Sequence, residues 1–326
     1  MRKGLITAAA VILFAQNIFS AQNEYLGTPA SEKAAENALE WLAKNQEKDG
    51  SYGKKIQLGS NPAIVGFAGL AFLAGGSVPG RGKYSENVKK IGDFLVSKQR
   101  PDGLIGQTMY EHGFSTVAMC ELYGMTRKEE YKGVVQNAVN LILSCQNAKG
   151  GWRYSPRIAD DDVTVTSCQV QALRAARDVG IVIPKETVDG AMRYLLSCSA
   201  GNGSMSYQPG QGGGGWQRTG AGVLSLMALG DYTSSEVQKG ADFVLKARYS
   251  ENDGHFYYGL YYCNQLMFQK GGEYWKTWFS QLRETLISVQ QGDGSFKSTQ
   301  YGPVYGTALG ALALELPYGY LPLLER

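Results

Sequence analysis

Three consecutive aspartates, Asp160, Asp161 and Asp162, are the first residues in the sequence whose types and spacing could carry acid–base chemistry. Crowded carboxylates raise one another's pKa, whereas the N-terminal end of a helix lowers it. One of the three could therefore stay protonated as a general acid, or act as a general base. We predict that they are catalytic. The alternative is that they only cap a helix, because aspartate is favoured at helix starts.

The two histidines of the chain, His112 and His255, are the next candidates. His112 stands at the start of an apolar segment that precedes the aspartates, and we predict that it is a second catalytic group. A hydrogen-bonded structural histidine is the alternative. His255 follows a glycine and precedes three aromatic residues, and it could also be functional. Neither histidine belongs to a run with zinc-ligand spacing, so we predict no metal and no cofactor.

The elements that must position these residues are organised by a turn that recurs along the chain. In its clearest copies a Gln is followed by three residues, a Gly, one more residue and an aromatic, as in the stretch from Gln146 to Trp152. Self-similarity at a regular spacing indicates a repeat architecture. The glycines of the six turns are Gly50, Gly103, Gly150, Gly203, Gly254 and Gly294, and the copies at Gly203 and Gly254 lack the Gln.

Each turn separates two segments of different character. The segment before it is amphipathic with helical spacing, which is typical of a helix on the outside of a domain. The segment after it is apolar or small on nearly every face, which is typical of a buried helix. We predict outer helices at 31–47, 84–99, 128–146, 184–198, 233–248 and 273–290, and inner helices at 62–74, 110–123, 160–178, 216–230, 256–269 and 302–314.

Six such helix pairs can close into a ring. The last inner segment is as apolar as the middle ones, whereas an open repeat array needs a polar cap at its end. We predict a single domain over 22–326 in which all inner helices begin on the same side of the ring. Their N-termini then surround a polar mouth suited to anionic groups. His112 and the aspartates, which start inner helices of adjacent repeats, should face the same end of the central cavity.

Aromatic side chains near this mouth are predicted to line the cavity. Aromatic walls suit isoprenoid chains, carbocations and sugar rings. For Trp152 the alternative is packing between helices. The predicted ligand-binding residues are Tyr110, Glu111, Trp152, Tyr154, Tyr207, Arg218, Tyr257, Tyr301 and Tyr305.

The repeats resemble those of the prenyltransferase and squalene-cyclase repeat proteins. The copy Gln146-Asn-Ala-Lys-Gly150-Gly-Trp152 is similar to the Gln-Trp repeat of that family, and the resemblance spans roughly residues 31–315. It implies an all-α fold, the (α/α)6 toroid of about twelve helices. The stretch 109–126, followed by 150–156, looks like an exported bacterial branch of single-toroid proteins.

The motifs of the family's known activities are matched only in part. Class II terpene cyclases use an Asp-x-Asp-Asp motif whose middle Asp donates a proton, and Asp161 stands at that acid's place while Ala159 replaces the first Asp. The resemblance therefore implies Asp161 as a proton donor or acceptor. The zinc-ligand pattern of protein prenyltransferases and the Cys-Gly-Glu-Gln of thioester toroids are absent. Whether the chain is an enzyme stays open.

The N-terminus has the pattern of a secretory signal peptide, with a basic start, an apolar run over 5–14 and small residues before Gln22. We predict that residues 1–21 are removed and that the protein is exported, to the periplasm or beyond. An uncleaved anchor is the alternative. A net charge of +3 without a Lys/Arg cluster argues against nucleic-acid binding. The five cysteines are widely spaced and are predicted to be buried thiols, with a Cys145–Cys198 bridge as the alternative.

Three functions are compatible with these sequence patterns. The first is a monomeric toroid, capable of peripheral membrane contact, that binds or transforms a small lipid-like or isoprenoid ligand. The second is a secreted glycan hydrolase or lyase, and the third is a non-catalytic interaction scaffold. The lining of the cavity discriminates among them, because glycan cleavage by the common mechanism needs two carboxylates flanking the bond.

Overall fold

The computed structural model describes residues 25–319 and residue 321. These residues form twelve α-helices and a short 3₁₀-helix at Leu316–Tyr318, with no β-strand beyond isolated bridges, so the predicted all-α fold is confirmed. The outer helices are α1 (Pro29–Asn45), α3 (Ser85–Ser97), α5 (Glu129–Cys145), α7 (Lys185–Ser197), α9 (Ser235–Leu245) and α11 (Gly272–Val289). The inner helices are α2 (Pro62–Ala74), α4 (Met109–Thr126), α6 (Val163–Asp178), α8 (Trp216–Ala228), α10 (Phe256–Lys270) and α12 (Gly302–Glu315). The predicted signal peptide lies outside the described residues.

Inner and outer helices bury different shares of their surface. Every residue of α2 is buried, whereas α1 buries one stripe that includes Ala35, Leu39 and Leu42. A helix that is apolar on all faces needs protein on all faces, while an amphipathic helix needs it on one. The inner helices therefore form the wall around the centre, and the outer helices cover that wall.

The order of packing differs from the order of the repeats in the sequence. Apart from α7, each outer helix packs mainly against the inner helix that precedes it, and by the same rule α1 packs against α12. The inner helices contact one another in succession, and α12 returns to α2. The first helix of the chain thus completes the last pair, and the ring is closed.

Specific bonds seal this seam between the ends of the ring. The amide Nε2 of Gln290 donates to the carbonyl oxygen of Ala34 at 2.7 Å. The indole N–H of Trp41 donates to Asp293 at 3.1 Å. These bonds join α1 to the C-terminal end of α11 and to the turn after it, so both outer helices at the seam have a bonded neighbour.

The repeated Gln-x-x-x-Gly turn clamps neighbouring outer helices together. Nε2 of Gln146 donates to the carbonyl oxygen of Gly150 in its own turn and to that of Thr187 in α7, both at 3.0 Å. The same pair of bonds is made by Gln46, Gln99 and Gln290. The Gln of the repeat is therefore a structural residue that links consecutive repeats, including the last to the first.

The glycine of the turn is required by both conformation and space. Gly150 has a φ of +94°, and a Cβ on it would lie 2.1 Å from the carbonyl oxygen of Gly190. Only glycine combines this φ with so close an approach of two backbones. Gly254 has no positive φ and no neighbour within 4 Å of such a Cβ, so this copy of the turn has lost the contact that defines the others.

All five cysteines are buried free thiols, so Cys145 and Cys198 are not bridged. Among the described helices, none is both long and apolar enough to cross a membrane.

Candidate functional site

The starts of all six inner helices line one cavity of about 530 Å³ at the centre of the ring. Convergence of these helix starts on a common mouth is therefore as predicted. The lining residues are Leu58, Asn61, Ala63, Ile64, Phe67, Thr108, Tyr110, Glu111, Phe114, Tyr154, Thr164, Tyr207, Gly215, Gln217, Arg218, Gly254, His255, Tyr258, Tyr301 and Tyr305.

The deeper wall of the cavity is aromatic. Phe67 of α2 packs against Phe114 of α4, with ring centroids 4.6 Å apart, and against Tyr305 of α12 at 5.9 Å. Both phenylalanines are buried. Burial raises the pKa of the Tyr258 and Tyr305 hydroxyls above the ordinary range of tyrosine. The deep part of the cavity is therefore apolar, with neutral hydroxyls.

A chain of hydrogen bonds joins one wall of the cavity to a buried carboxylate. The hydroxyl of Tyr110 donates to Oγ1 of Thr164 at 2.6 Å, and the Thr164 hydroxyl donates to Oδ1 of Asp162. The same Oδ1 accepts from the backbone N–H groups of Thr164 and Val165, so Asp162 is the N-cap of α6. Burial, followed by the charge of Asp162, raises the pKa of Tyr110 well above its usual value. Tyr110 is thus a fixed neutral hydroxyl at the wall.

An arginine next to this wall pairs with two of the three aspartates. Arg153 donates from Nη1 to Oδ2 of Asp162 at 2.8 Å and to the hydroxyl of Tyr207 at 2.7 Å, and its Nε lies 3.1 Å from Oδ2 of Asp160. The guanidinium also lies 4.4 Å from the ring centre of Tyr154, a cation–π contact. The hydroxyls of Tyr154 and Tyr207 are hydrogen-bonded to each other. Arg153 therefore holds two tyrosines of the mouth in place.

The opposite side of the mouth is electropositive. The starts of α2, α4 and α6 are capped by the side chains of Asn61, Thr108 and Asp162. The starts of the next three inner helices, α8, α10 and α12, have no side-chain cap in the part of the chain that the structure describes. Uncapped helix starts present free N–H groups and partial positive charge.

One full positive charge lies on that side. The guanidinium of Arg218, in the first turn of α8, lines the cavity 5.2 Å from the ring centre of Tyr207 and forms no ion pair among residues 25–319. His255 lines the cavity beside it, at the N-cap of α10, with a left-handed φ of +61°. Such a φ is unusual for a residue with a Cβ and costs roughly 1–3 kcal/mol. The half of the mouth formed by the starts of α8, α10 and α12 is therefore electropositive and suited to an anion.

Glu111 supplies the one carboxylate that lines the cavity among the described residues. Its Oε2 accepts from the backbone N–H of Gln107 at 2.7 Å. Glu111 stands on α4 and His255 on α10, three helices apart around a ring of six inner helices. The glutamate and the histidine of the mouth therefore lie on opposite sides of the cavity.

The aspartates are placed differently from the prediction. Helix α6 begins at Val163, so Asp160 and Asp161 precede it, and none of the three aspartates lines the cavity. Asp161 is fully buried, accepts from Asn147 at 2.8 Å and lies 3.4 Å from Nζ of Lys149, with its Oδ1 left without a partner in the described structure. Asp160 is exposed and pairs with Arg153. Asp162 caps α6, as the capping alternative predicted, whereas Asp160 and Asp161 hold the loop before the helix.

His112 is also placed differently. It is fully buried away from the cavity, where Nδ1 accepts from the backbone N–H of Ile105 at 3.0 Å and Nε2 faces the carbonyl oxygen of Ala138 at 3.1 Å. Both ring nitrogens are thus engaged, and the neutral Nε2–H tautomer satisfies both. Burial lowers the pKa of His112 to about 4. The expectation that it faces the cavity with the aspartates is wrong, and its catalytic role has no geometric support.

Seven of the predicted ligand-binding residues do line the cavity. Trp152 does not: it is buried between helices and donates from its indole to the carbonyl oxygen of Ile142 at 2.8 Å. Tyr257 does not either, since it packs edge-on against Phe256. The seven are Tyr110, Glu111, Tyr154, Tyr207, Arg218, Tyr301 and Tyr305.

Sequence reasoning missed several lining residues. Phe67 and Phe114 lie more than one turn after the starts of α2 and α4, and Thr164 follows the aspartate cap. Helical spacing could have predicted some of these lining residues, because a residue three or four places after a lining residue points to the same side of the helix. Tyr110 and Phe114 are such a pair, with stacked rings.

Comparisons with known proteins agree with this architecture. The family described as prenyltransferase alpha-alpha toroid domain matches residues 8–259. No curated protein sequence matches the chain.

Several solved structures share the fold at low identity. An inactive variant of the α-1,6-mannanase GH76A of Salegentibacter sp. HEL1_6, in complex with α-1,6-mannotriose, is 10% identical with a TM-score of 0.68, over 87% of this chain and 98% of that one. A variant of the type II terpene cyclase MstE from Scytonema, in complex with its substrate geranylgeranyl dihydroxybenzoate, is 12% identical with a TM-score of 0.63, over 90% and 98%. The GH76 α-mannanase BT2949 of Bacteroides thetaiotaomicron is 9% identical with a TM-score of 0.61, over 93% and 98%. At these identities the likeness concerns the fold.

Proposed function

The chain belongs to the prenyltransferase alpha-alpha toroid domain family, and on that premise we propose that its central cavity binds one small lipid-like molecule with an apolar, isoprenoid-type body and an anionic head group. The observation that carries the proposal is the division of one cavity into an aromatic interior and an electropositive half of the mouth. Binding is the function proposed, and the same site could also transform its ligand.

The interior supports an apolar body. Phe67, Phe114 and Tyr305 form a continuous aromatic surface, and a volume of about 530 Å³ falls in the usual range of small-molecule sites. Burying apolar surface against it is favourable by about 25 cal/mol per Å². A cavity of this size also disfavours a scaffold with a filled centre. The similar cyclase binds geranylgeranyl dihydroxybenzoate, which joins an isoprenoid chain to an acidic aromatic head.

The mouth supports the anionic head. Arg218 faces the cavity without a carboxylate partner in the described residues, and the uncapped starts of α8, α10 and α12 adjoin it. Backbone N–H groups at a helix start together with a guanidinium are a common phosphate- and carboxylate-binding combination. Glu111 lies on the other half of the mouth, and the aspartates are paired outside the cavity, so a head group near Arg218 avoids their charge.

A glycan ligand is the second candidate. The hydroxyls of Tyr110, Tyr154 and Tyr207 ring one wall of the mouth, and tyrosines offer sugars both stacking faces and hydrogen bonds. The similar mannanases support this candidate. Cleavage of a glycan is less well supported than its binding, because the common mechanisms need two carboxylates and the described cavity lining offers only Glu111.

The location of the protein in the cell is also a proposal. We propose that residues 1–21 are a signal peptide and that the protein acts after export, on the grounds of the basic, apolar and small-residue pattern at its N-terminus. Exposed Leu58 and Ile158 on loops beside the mouth would allow peripheral contact with a membrane that supplies the ligand. Detection of Met1 at the N-terminus of the exported protein would refute the cleavage.

The proposal is tested by measuring the affinity of the purified protein for three probes: farnesyl phosphate, farnesol and inorganic phosphate. Farnesyl phosphate should bind most tightly, because it uses both halves of the site. Arg218→Gln should weaken farnesyl phosphate about tenfold or more and leave farnesol nearly unchanged. Phe67→Ala should weaken both isoprenoids. Arg193→Gln, an exposed arginine on α7, is the matched control.

Mannotriose is measured beside these probes. Saturable mannotriose binding with no response to farnesyl phosphate would replace the lipid-like ligand with a glycan. Equal loss of farnesyl phosphate binding in Arg218→Gln and Arg193→Gln would contradict the assigned head-group site. Native mass spectrometry of protein purified from its own host would identify any ligand that the ring retains.

A further inference from the structure

A second pocket, which we call the seam pocket, lies on the face of the ring opposite the mouth. Inner helices begin at the mouth and end on this face, and here the end of α12 meets the first turns of α1. The pocket has a volume of about 310 Å³ and shares no lining residue with the central cavity. The polar and aromatic residues used below are Glu32, Glu36, Lys83, Tyr84, Glu315 and Tyr318.

The seam pocket contains a buried carboxyl group with an unused oxygen. Glu315, the last residue of α12, is only 6% exposed, and its Oε2 has no hydrogen-bond partner in the described structure. Buried polar atoms are nearly always paired, because leaving one unpaired carries the full cost of removing it from water. Burial raises the pKa of Glu315 well above the ordinary value of glutamate. An unpaired buried carboxyl that lines a pocket indicates a missing partner.

The backbone beside Glu315 is shaped to leave it room. A Cβ on Gly75 would lie 2.9 Å from Oε2 and 3.0 Å from Oε1 of Glu315, and 2.6 Å from a methyl carbon of Leu39. The absence of a side chain at Gly75, just after α2, therefore admits the carboxyl to the pocket. The space that the Glu315 carboxyl group occupies is therefore set by the local backbone, and does not result from the flexibility of its side chain alone.

The charges around the pocket favour a cation. Glu32 and Glu36 of α1 line it together with Glu315. The one lining cation, Lys83, is shared between Glu36 at 3.5 Å and Glu40 at 2.9 Å. The walls also include the rings of Tyr84 and Tyr318, and aromatic faces attract organic cations. No cluster of three metal-ligating side chains occurs in the described part of the chain, so an organic cation fits better than a metal ion.

We propose that the seam pocket binds a small primary ammonium ion, such as an alkylamine or the end of a diamine, with the carboxylate of Glu315 as its counter-ion. The ammonium group donates three hydrogen bonds, and the unpaired Oε2 of Glu315 accepts one of them. The alkyl part lies along Leu39 and the tyrosine rings. This site is independent of the ligand proposed for the central cavity.

Proton release is the distinguishing signature of this binding. The buried carboxyl of the empty pocket is held in its neutral form over a wider pH range than an exposed glutamate, because burial raises its pKa. An adjacent ammonium favours the charged form and lowers that pKa, so binding releases up to one proton. Other charged or titratable groups that line the pocket are Glu32, Glu36, Lys83, Tyr84 and Tyr318.

The test is a titration of the full chain with butylammonium chloride, followed by calorimetry and by a pH electrode in weakly buffered solution. We expect saturable binding with a Kd on the order of 1 mM, accompanied by proton release. 1-Butanol, which has the same apolar part without the charge, should not bind. Glu315→Gln should weaken butylammonium at least tenfold and abolish the proton release, and Gly75→Ala should weaken it by closing the space. Glu129→Gln, an exposed glutamate on α5, is the matched control.

No saturable binding to the wild-type chain at about 50 mM, well above the expected Kd, would overturn the proposal. Binding that is equally strong in Glu315→Gln would do the same. If Glu315→Gln fails to fold, the wild-type titration and Gly75→Ala decide the outcome. Binding of butanol as tight as that of butylammonium would show an apolar pocket and not a cation site.

Discussion

At the residue scale, burial and hydrogen bonding engage several ionisable side chains close to the central cavity. Asp162 caps α6 and Arg153 neutralises it, while His112 is neutral and buried. Tyr110 and Arg218 face the cavity instead. A side chain that could bind or react with a ligand can therefore do so only where the fold leaves it accessible from the cavity.

His112 gives the first prediction. Its pKa is about 4 in the folded protein and about 6.5 in the unfolded chain. Between these values the unfolded state binds a proton that the native state does not, so the free energy of unfolding falls as the pH falls from about 6.5 to about 4. The loss attributable to His112 is roughly 3 kcal/mol over that window.

Urea unfolding at pH 7 and pH 4.5 measures this effect. In His112→Gln the difference between the two pH values should shrink relative to wild type, because the variant cannot be protonated there. Binding of farnesyl phosphate at pH 7 should stay unchanged, since His112 does not face the cavity. An equal pH dependence in both proteins would contradict the assignment.

Trp152 gives the second prediction. It is 1% exposed and its indole N–H bonds the carbonyl oxygen of Ile142. Trp152→Ala should therefore lower the free energy of unfolding by about 3–5 kcal/mol. Tyr154→Ala, two residues along at the exposed mouth, should cost less than about 1 kcal/mol and weaken ligand binding instead. The reverse order of the two losses in denaturant unfolding would place the tryptophan in the cavity.

At the element scale, the Gln-x-x-x-Gly turn explains why helices of different repeats hold together. The Gln side chain bonds two carbonyl groups, and the glycine lets one backbone touch the next outer helix. Among the residues that the structure describes, four non-glycine residues have a left-handed φ, and three of them lie on the loops that lead into inner helices: Leu58, Arg157 and His255. Conformational strain is therefore concentrated beside the mouth, where strain commonly accompanies function.

A pair of glycine substitutions tests which copies of the turn require glycine for their backbone conformation and close packing. Gly150→Ala should cost about 3 kcal/mol or more, because it combines a positive φ with a backbone clash at 2.1 Å. Gly254→Ala should be neutral or stabilising by up to about 1 kcal/mol, since its φ is not positive and the space around it is open. Thermal unfolding of the two variants checks the prediction. Equal melting temperatures would mean that the close contact at Gly150 is relaxed at little cost.

At the scale of the whole molecule, closure depends on residues that are far apart in sequence. Helix α1 packs on α12, and Gln290 and Trp41 bond across the seam. A closed ring has no terminal repeat, so its ends support each other. The protein should consequently open first at the seam when that support is weakened.

Gln290→Ala tests this idea against Gln99→Ala, which removes the same two bonds from an internal turn. Each variant should lose about 1–3 kcal/mol of unfolding free energy. In Gln290→Ala, amide hydrogen exchange should accelerate in both α1 and α11, although they lie at opposite ends of the sequence. In Gln99→Ala the faster exchange should be confined to α3 and α5. An identical exchange pattern in the two variants would show that the seam is not a weak point.

Local patterns in the sequence are sufficient to predict the repeat, the two kinds of helix and the end of the ring at which the mouth lies. The periods of apolar residues and the recurring glycine are local features, and a ring follows from them because each inner helix must be buried on all sides. Six helix starts on one side of that ring predicted the common mouth, and Tyr110, Tyr154, Arg218 and Tyr301 were correctly placed there.

Which side chains at the mouth face the cavity, and how the two ends of the chain meet, depend on the packing of the folded ring. Successive residues of a helix point about 100° apart, so Tyr110 and Glu111 reach the cavity while His112 turns into the wall between α4 and α5. The start of α6 lies three residues later than predicted, which moves the aspartates out of the cavity. The packing of α1 on α12, and with it the seam pocket around Glu315, depends on contacts between the two ends of the chain that no local pattern encodes.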